Sequence, residues 1–152
     1  MRPKLRLLVA VDFSQASDRA LKAAANIAKK TGASVTIIHA RPSSDLRAAV
    51  LENIGDMLLL TRRRLSEGLA GHYASLLEKS RRQIPGATTR LLVGWPAGTI
   101  AREAHRGYDL LIVGSRGRGA VSRALLGSTT QELLHRSRIP VLVVESPSRS
   151  TR

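Results

Sequence analysis

A glycine-rich segment in the last third of the chain has the residue types and the spacing of an anion-binding site. It runs Gly114-Ser115-Arg116-Gly117-Arg118-Gly119, and nine residues separate Gly117 from Gly127-Ser128. Glycines let backbone N–H groups approach an anion closely, and the free N–H groups at the start of a following helix favour phosphate. The Ser128 hydroxyl adds a donor. Positive charge comes from Arg116, Arg118 and Arg123. The segment therefore indicates phosphate binding.

A purely structural role for the same residues stays open. Ser128 with Gln131, or Thr129 with Glu132, has the spacing of a capping box, in a loop that glycine makes flexible. Two better-known phosphate motifs are not supported. The chain has no GxxxxGK followed by Ser or Thr, and Gly117-Arg118-Gly119 lacks the third glycine of a GxGxxG dinucleotide site.

The elements that must position these residues follow from an alternation of apolar runs and helical segments. Strand-length runs rich in Leu, Val or Ile occupy residues 5–11, 34–40, 88–93, 109–113 and 140–145. They are nearly continuous rather than alternating, which is typical of strands buried on both faces. Helices are predicted over residues 14–31, over 45–84 with an interruption near 68–71, and over 96–106 and 128–137.

This order of elements predicts an α/β fold, a single domain with a doubly wound parallel sheet and helices on both faces. The domain is expected to span residues 1–146, with a disordered tail at 147–152. In such a sheet, ligands bind outside the carboxyl ends of the strands where the strand order reverses. That rule points to Asp12 after the first strand and to Gly114 after the fourth.

The charge balance is strongly basic. Of 152 residues, 25 are Lys or Arg and 11 are Asp or Glu, a formal net charge of +14. Such an excess is typical of proteins that bind nucleic acid or another anionic surface, although here it is spread along the chain. Arg62–Arg64 would point in different directions on a helix, which favours a solvated face. Because only four scattered aromatic residues are available to stack bases, nucleic-acid binding is the alternative rather than the first hypothesis.

The residue types and the lengths of the apolar runs also argue against a metal site and against a membrane-spanning segment. It has no cysteine, and its histidines at positions 39, 72, 105 and 135 are too scattered for metal-ligand spacing, so no metal site is predicted. No stretch approaches the roughly 18 apolar residues needed to span a membrane. A soluble cytoplasmic protein without a membrane partner is expected.

Several motifs together resemble the universal stress protein family. They are Gly114-x2-Gly117-x9-Gly127-Ser128, Val11-Asp12-Phe13-Ser14 after the first strand, His39-Ala40 closing the second, and Ile139-Pro140-Val141-Leu142-Val143-Val144 at the end. The resemblance covers about residues 4–145, and the glycine pattern is typical of the family's nucleotide-binding branch. Ala40 is a departure, because a valine is common there in the family.

The resemblance implies a sheet of order 3-2-1-4-5 and an ATP site above strands one and four. Asp12 would hold the ribose or organise the metal-phosphate region, where Mg²⁺ would offset the repulsion between carboxylate and phosphate. The Ala40 backbone would meet the adenine edge, and the phosphates would lie at the helix start. The implied nucleotide-binding residues are Asp12, Ala40, Gly114, Arg116, Gly117, Arg118, Gly127, Ser128 and Thr129.

The function that this resemblance implies is that of an ATP-binding, nucleotide-responsive regulatory or accessory factor in the stress response. No Gly-x-Ser-x-Gly elbow or pair of carboxylates marks a strong hydrolytic site. The enzymatic alternative is slow ATP hydrolysis or autophosphorylation, with Asp12 organising metal or water and Ser128 as phosphoryl acceptor. Because the last strand, Val141 to Glu145, would be an apolar sheet edge, the resemblance also implies a homodimer through it.

Overall fold

Parallel strands that alternate with helices form the centre of the molecule. The computed structural model describes residues 4–43, 58–116 and 126–145, and gives only the backbone for residues 58–62. Within these ranges the strands are β1 (Arg6–Ala10), β2 (Ser34–Arg41), β3 (Thr88–Val93), β4 (Leu110–Gly114) and β5 (Val141–Val144). The helices are α1 (Gln15–Thr31), α2 (Leu58–Arg82), α3 (Pro96–Ala104) and α4 (Ser128–Arg136).

The sheet is parallel throughout and has the order β3-β2-β1-β4-β5, which confirms the order that the family resemblance implied. At the centre, Val9 of β1 pairs with Ile37 on one side and with Ile112 on the other. The chain leaves β1 towards β2 and returns to its other side only with β4. The carboxyl ends of β1 and β4 are therefore the point at which the strand order reverses.

Two apolar layers form the core, one on each face of the sheet. Successive residues of β1 alternate between them, so Leu7 and Val9 pack under α1 and α2, whereas Leu8 packs under α3 and α4. The central strands are buried on both faces, as predicted. Burial on both faces was wrongly predicted for the two edge strands, because no residue of β3 or β5 is buried and Leu142 is 36% exposed. The position of β5 at an edge of the sheet is as expected.

The helix ends follow their capping signals. Ser14 is the N-cap of α1 and accepts a hydrogen bond from the Ser17 backbone N–H, and Gly32 ends the helix in the left-handed conformation. The predicted interruption of the next helix is wrong, because α2 continues through Gly68 and Gly71. A glycine costs a helix interior only about 1 kcal/mol, and the buried packing of Leu77 holds α2 against the sheet.

Three predictions fall outside the described residues and stay predictions. They concern the helical segment over residues 45–57, the tail at 147–152 and the exact extent of the domain. Among the described helices, none is long and apolar enough to cross a membrane.

Candidate functional site

A pocket of about 390 Å³ opens at the carboxyl ends of β1, β2 and β4, where the strand order reverses. Its volume lies within the range of roughly 300–1,000 Å³ that is typical of small-molecule sites. The lining residues come from the strand ends and from the first turns of three helices. They are Ala10, Val11, Asp12, Ser17, His39, Ala40, Pro42, Pro96, Ile100, Val113, Gly114, Arg116, Gly127, Ser128, Thr129, Thr130 and Leu133.

The structure brings most of the sequence-predicted site residues into this one pocket. Seven of the nine line it, namely Asp12, Ala40, Gly114, Arg116, Gly127, Ser128 and Thr129. The other two, Gly117 and Arg118, lie outside the described residues, as does Arg123. Residues that are up to 117 positions apart in the chain thus meet because parallel strands end at the same edge of a sheet.

The Asp12 carboxylate is fixed by the first turn of α1. Its Oδ1 accepts hydrogen bonds from the Ser14 backbone N–H at 3.1 Å and from the Ser14 and Ser17 hydroxyls at 2.5 Å each. Its own backbone N–H donates to the Ser17 hydroxyl oxygen at 2.8 Å. Between Asp12 and Ser14, Phe13 adopts a left-handed conformation with φ of 64°. Asp12 therefore both closes a local turn and presents a preorganised carboxylate in the pocket.

Gly114 is required for close packing rather than for a flexible loop. A Cβ at this position would lie 2.7 Å from both the carbonyl carbon and the Cβ of Ala16, in the first turn of α1. The Thr130 hydroxyl donates to the Gly114 carbonyl oxygen at 2.8 Å, which ties β4 to α4. Gly114 thus holds two helix starts against the end of one strand.

The amino terminus of α4 contributes an end of the pocket that suits an anion. Its N-cap is Gly127, and no side chain caps the helix, so neither of the two capping boxes that the spacing allowed is formed. The Gly127 backbone N–H donates to the Ser115 carbonyl oxygen at 2.8 Å, which anchors the start of the helix. Ser128, Thr129 and Thr130 line the pocket with the first turn, where N–H groups and the helix dipole favour negative charge.

A second group of lining residues is apolar. Pro42, Pro96, Ile100 and Leu133 line the pocket together with the small side chain of Ala40, which leaves room above the end of β2. The two prolines and Ile100 were not among the site residues predicted from the sequence. The available signal was Gly94-Trp95-Pro96 after β3, because a proline at the first turn marks a helix start at the carboxyl edge of the sheet.

His39 lines the pocket from the end of β2 and is held by its neighbours. Its Nδ1 lies 2.7 Å from the Val11 carbonyl oxygen, and its ring centroid lies 4.7 Å from those of Phe13 and Tyr73. Tyr73 belongs to α2, so this aromatic cluster connects a helix outside the pocket to the pocket wall.

Trp95, at the start of α3, is 68% exposed and is anchored to α4. Its indole N–H donates to Glu132 Oε2 at 2.9 Å, and Arg136 Nε donates to Glu132 Oε1 at 2.6 Å. The hydrogen bond from Trp95, followed by that from Arg136, lowers the pKa of the Glu132 carboxyl below its usual 4.5. The bridge joins α3 and α4, two of the three helices whose first turns line the pocket.

No group of three or more acidic, histidine or cysteine side chains among residues 4–43, 58–116 and 126–145 is placed to hold a metal ion. Asp12 is the acidic residue among the described lining residues. An Mg²⁺ ion in this pocket would therefore take its remaining ligands from a phosphate and from water, as Mg²⁺ commonly does.

A model of the universal stress protein family matches residues 5–145, which is nearly the whole chain. The chain belongs to this family. A universal stress protein of Mycolicibacterium smegmatis is 33% identical over 91% of the chain, which spans only 47% of that relative's length. The universal stress protein YxiE of Bacillus subtilis is 29% identical over 91% of the chain and 97% of its own length.

Solved structures of universal stress proteins have the same fold. UspA from Lactobacillus plantarum has a TM-score of 0.74 at 24% identity, covering 94% of the chain and 99% of UspA. A universal stress protein from Archaeoglobus fulgidus in complex with dAMP has a TM-score of 0.58 at 19% identity, covering 92% and 97%. One in complex with cAMP has a TM-score of 0.57 at 23% identity, covering 92% and 95%. Some universal stress proteins therefore bind nucleotides.

Proposed function

We propose that this universal stress protein binds ATP in the pocket at the carboxyl edge of the sheet and acts as a nucleotide-responsive regulatory or accessory factor in the stress response. One observation carries the proposal. A single pocket combines apolar lining residues, a fixed carboxylate and an uncapped helix start, which are the features that a base, a ribose and phosphates need. The complexes of other family members with dAMP and cAMP support a nucleotide as the ligand class.

The base would lie against the apolar wall of Pro42, Pro96 and Ile100, where the Ala40 backbone offers hydrogen bonds to its edge. The ribose hydroxyls would donate to Asp12, whose carboxylate is already oriented by Ser14 and Ser17. Because the carboxylate is held before the ligand arrives, little conformational entropy is lost when it binds.

The phosphates would lie at the start of α4. The backbone N–H groups of its first turn, the Ser128 hydroxyl and the Arg116 side chain at the pocket wall would hold their negative charge. Mg²⁺, when bound with ATP, would offset the repulsion between Asp12 and the phosphates. These residues bind and orient a nucleotide, which favours a binding protein over a fast hydrolase.

The contacts of α4 support a regulatory role. The helix starts in the pocket, and its Leu133 is buried in the same apolar layer as Val141 and Val143 of β5. We propose that β5, over Val141 to Glu145, joins two copies in a homodimer, since it is an apolar edge strand with Leu142 exposed. ATP would then shift the population of α4 conformations and so change the dimer surface. A cytoplasmic location, where ATP is present, belongs to the same proposal.

The test begins with the nucleotide that the native protein retains through purification. Denaturing release followed by chromatography and mass spectrometry is expected to identify an adenine nucleotide. Calorimetry of nucleotide-free protein with ATP, ADP, AMP, cAMP and adenosine then measures the contribution of each phosphate. We expect ATP to bind most tightly. Equal affinity for ATP and adenosine, or no binding of either, would contradict the proposal.

A further inference from the structure

Basic residues that are far apart in the sequence lie on the same side of the sheet in the structure. Helices α1 and α2 lie side by side on one face of the sheet, since both pack on the apolar layer that contains Leu7 and Ile37. Their described side chains include nine basic residues, which we name the basic face: Arg19, Lys22, Lys29, Lys30, Arg63, Arg64, Lys79, Arg81 and Arg82. All are exposed except Arg81, which is half-buried.

The described helices on the two faces of the sheet differ in charge. Over residues 15–31 and 63–82, α1 and α2 carry nine basic side chains and three acidic ones, namely Asp18, Glu67 and Glu78. The net charge of these two helix segments is therefore +6. Helices α3 and α4 carry Arg102 and Arg136 against Glu103 and Glu132, a net charge of zero. Among the described helices, the excess positive charge therefore lies on the side of the sheet that α1 and α2 cover, which favours anions there.

Most of the basic face is uncompensated. Arg63 pairs with Glu67, and Arg81 and Arg82 both pair with Glu78. The other six make no ion pair within the part of the chain that the structure describes, namely Arg19, Lys22, Lys29, Lys30, Arg64 and Lys79.

The densest part of this charge lies away from the pocket. Helices that connect parallel strands run antiparallel to them, so the last turns of α1 and α2 lie at the amino edge of the sheet. These two turns carry five of the nine residues of the basic face. They are followed by β2 and β3, which are neighbours in the sheet. An anion bound there would leave the pocket at the carboxyl edge open.

We propose that the basic face binds the phosphate backbone of duplex nucleic acid, independently of base sequence. The exposed large apolar residues of the described chain are Leu5, Val93, Trp95, Leu134 and Leu142, and none lies on α1 or α2. Over residues 15–31 and 63–82, these two helices therefore offer neither an exposed large apolar side chain to insert into a lipid surface nor an exposed indole to stack the bases of a single strand. Rows of Lys and Arg on two neighbouring helices suit the regularly spaced phosphates of a duplex.

The test measures fluorescence anisotropy of a labelled 30-base-pair DNA duplex of mixed sequence against salt concentration, with and without ATP. The variant is Lys22→Gln/Lys29→Gln/Lys30→Gln, and the matched control is Arg102→Gln/Arg136→Gln/Arg138→Gln, which lowers the net charge equally at exposed positions elsewhere. Circular dichroism checks that both fold. Losing three phosphate contacts is expected to reduce the slope of log K against log salt by about 2.7 and the affinity at 0.1 M salt roughly 100- to 500-fold.

The control variant is expected to keep most of the duplex affinity. Saturating ATP is expected to leave the duplex affinity of the wild-type protein unchanged. The inference is overturned if the wild-type protein does not bind the duplex at 50 mM salt, or if the two triple variants lose affinity equally. It is also overturned if phosphatidylserine vesicles bind the wild-type protein and the duplex does not, since the surface would then recognise lipid.

Discussion

Gly114 lies so close to Ala16 that a Cβ on the glycine would stand 2.7 Å from the Cβ of the alanine. This approach places the first turn of α1 directly against the end of β4. It brings the Asp12 turn and the start of α4 to the same edge, because Thr130 also bonds to the Gly114 carbonyl. The shape of the pocket thus depends on the absence of a Cβ at Gly114.

Replacing Gly114 with alanine should therefore destabilise the protein. The new Cβ would meet the Ala16 backbone as well as its side chain, and overpacking of this kind costs about 1–3 kcal/mol in free energy of unfolding. Urea denaturation measures the loss. Gly68→Ala is the matched control, since no atom lies within 4 Å of a Cβ there and alanine should stabilise the helix by about 0.5–1 kcal/mol. Equal stability of Gly114→Ala and wild type would mean that α1 and β4 are less closely packed than the structure shows.

Asp12→Asn should weaken ATP binding roughly 10- to 100-fold, because hydrogen bonds to a charged group contribute about 1.5–3 kcal/mol. If the carboxylate holds the ribose, wild-type protein should bind 2′,3′-dideoxy-ATP as weakly as the variant binds ATP. The variant should then show no further loss with the dideoxy nucleotide. Calorimetry with both proteins and both nucleotides measures this coupling. A variant that loses the same factor for both nucleotides would assign Asp12 to the metal-phosphate region instead.

The helix start can be tested separately from the base wall. Ser128→Ala and Thr129→Ala should lower the affinity for ATP by about tenfold and leave that for adenosine unchanged, since only ATP places phosphates at α4. Gln131→Ala is the control, because Gln131 is exposed on the same helix and does not line the pocket. A parallel loss for ATP and adenosine would contradict the proposed orientation of the nucleotide.

The bridge between Trp95 and Glu132 should be visible in a pH titration. The folded-state pKa of Glu132 is lowered from 4.5. The bridge therefore stabilises the folded protein at pH values above 4.5, and this stabilisation is lost as the pH falls through the lowered pKa. Carbon NMR of the carboxyl should show a midpoint below 4.5, and Trp95→Phe should raise it. Emission of Trp95, the one tryptophan in the sequence, should change with the same midpoint. An identical Glu132 midpoint in Trp95→Phe would show that the indole does not hold the carboxylate.

The proposed dimer makes a prediction about the sheet edge. Leu142→Lys places a charge on the exposed edge strand and should convert a wild-type dimer into a monomer, as measured by light scattering after gel filtration. Leu134→Lys is the control, because Leu134 is also exposed but lies on α4. A wild-type protein that is monomeric at micromolar concentration would contradict the dimer.

Local sequence was sufficient to predict most elements of this fold. The run Leu7-Leu8-Val9 predicted a central strand buried on both faces, and Ser14 and Gly32 marked the two ends of α1. Such signals act over a few residues, because a cap or an apolar run depends on its immediate neighbours. The interruption predicted at Gly68–Gly71 was wrong for the complementary reason: glycine lowers helix propensity locally, but packing of the whole helix decided the outcome.

The sequence by itself determined the strands, the helix starts and a glycine segment suited to phosphate. Only the tertiary structure brought Asp12, Ala40 and Ser128 to one pocket and added Pro96 and Ile100 as its wall. It likewise showed that Gly114 packs on α1 and that the charges of α1 and α2 share one face. The reason is physical: local chemistry sets each element, whereas the register of the sheet and the handedness of its crossovers decide which distant residues become neighbours.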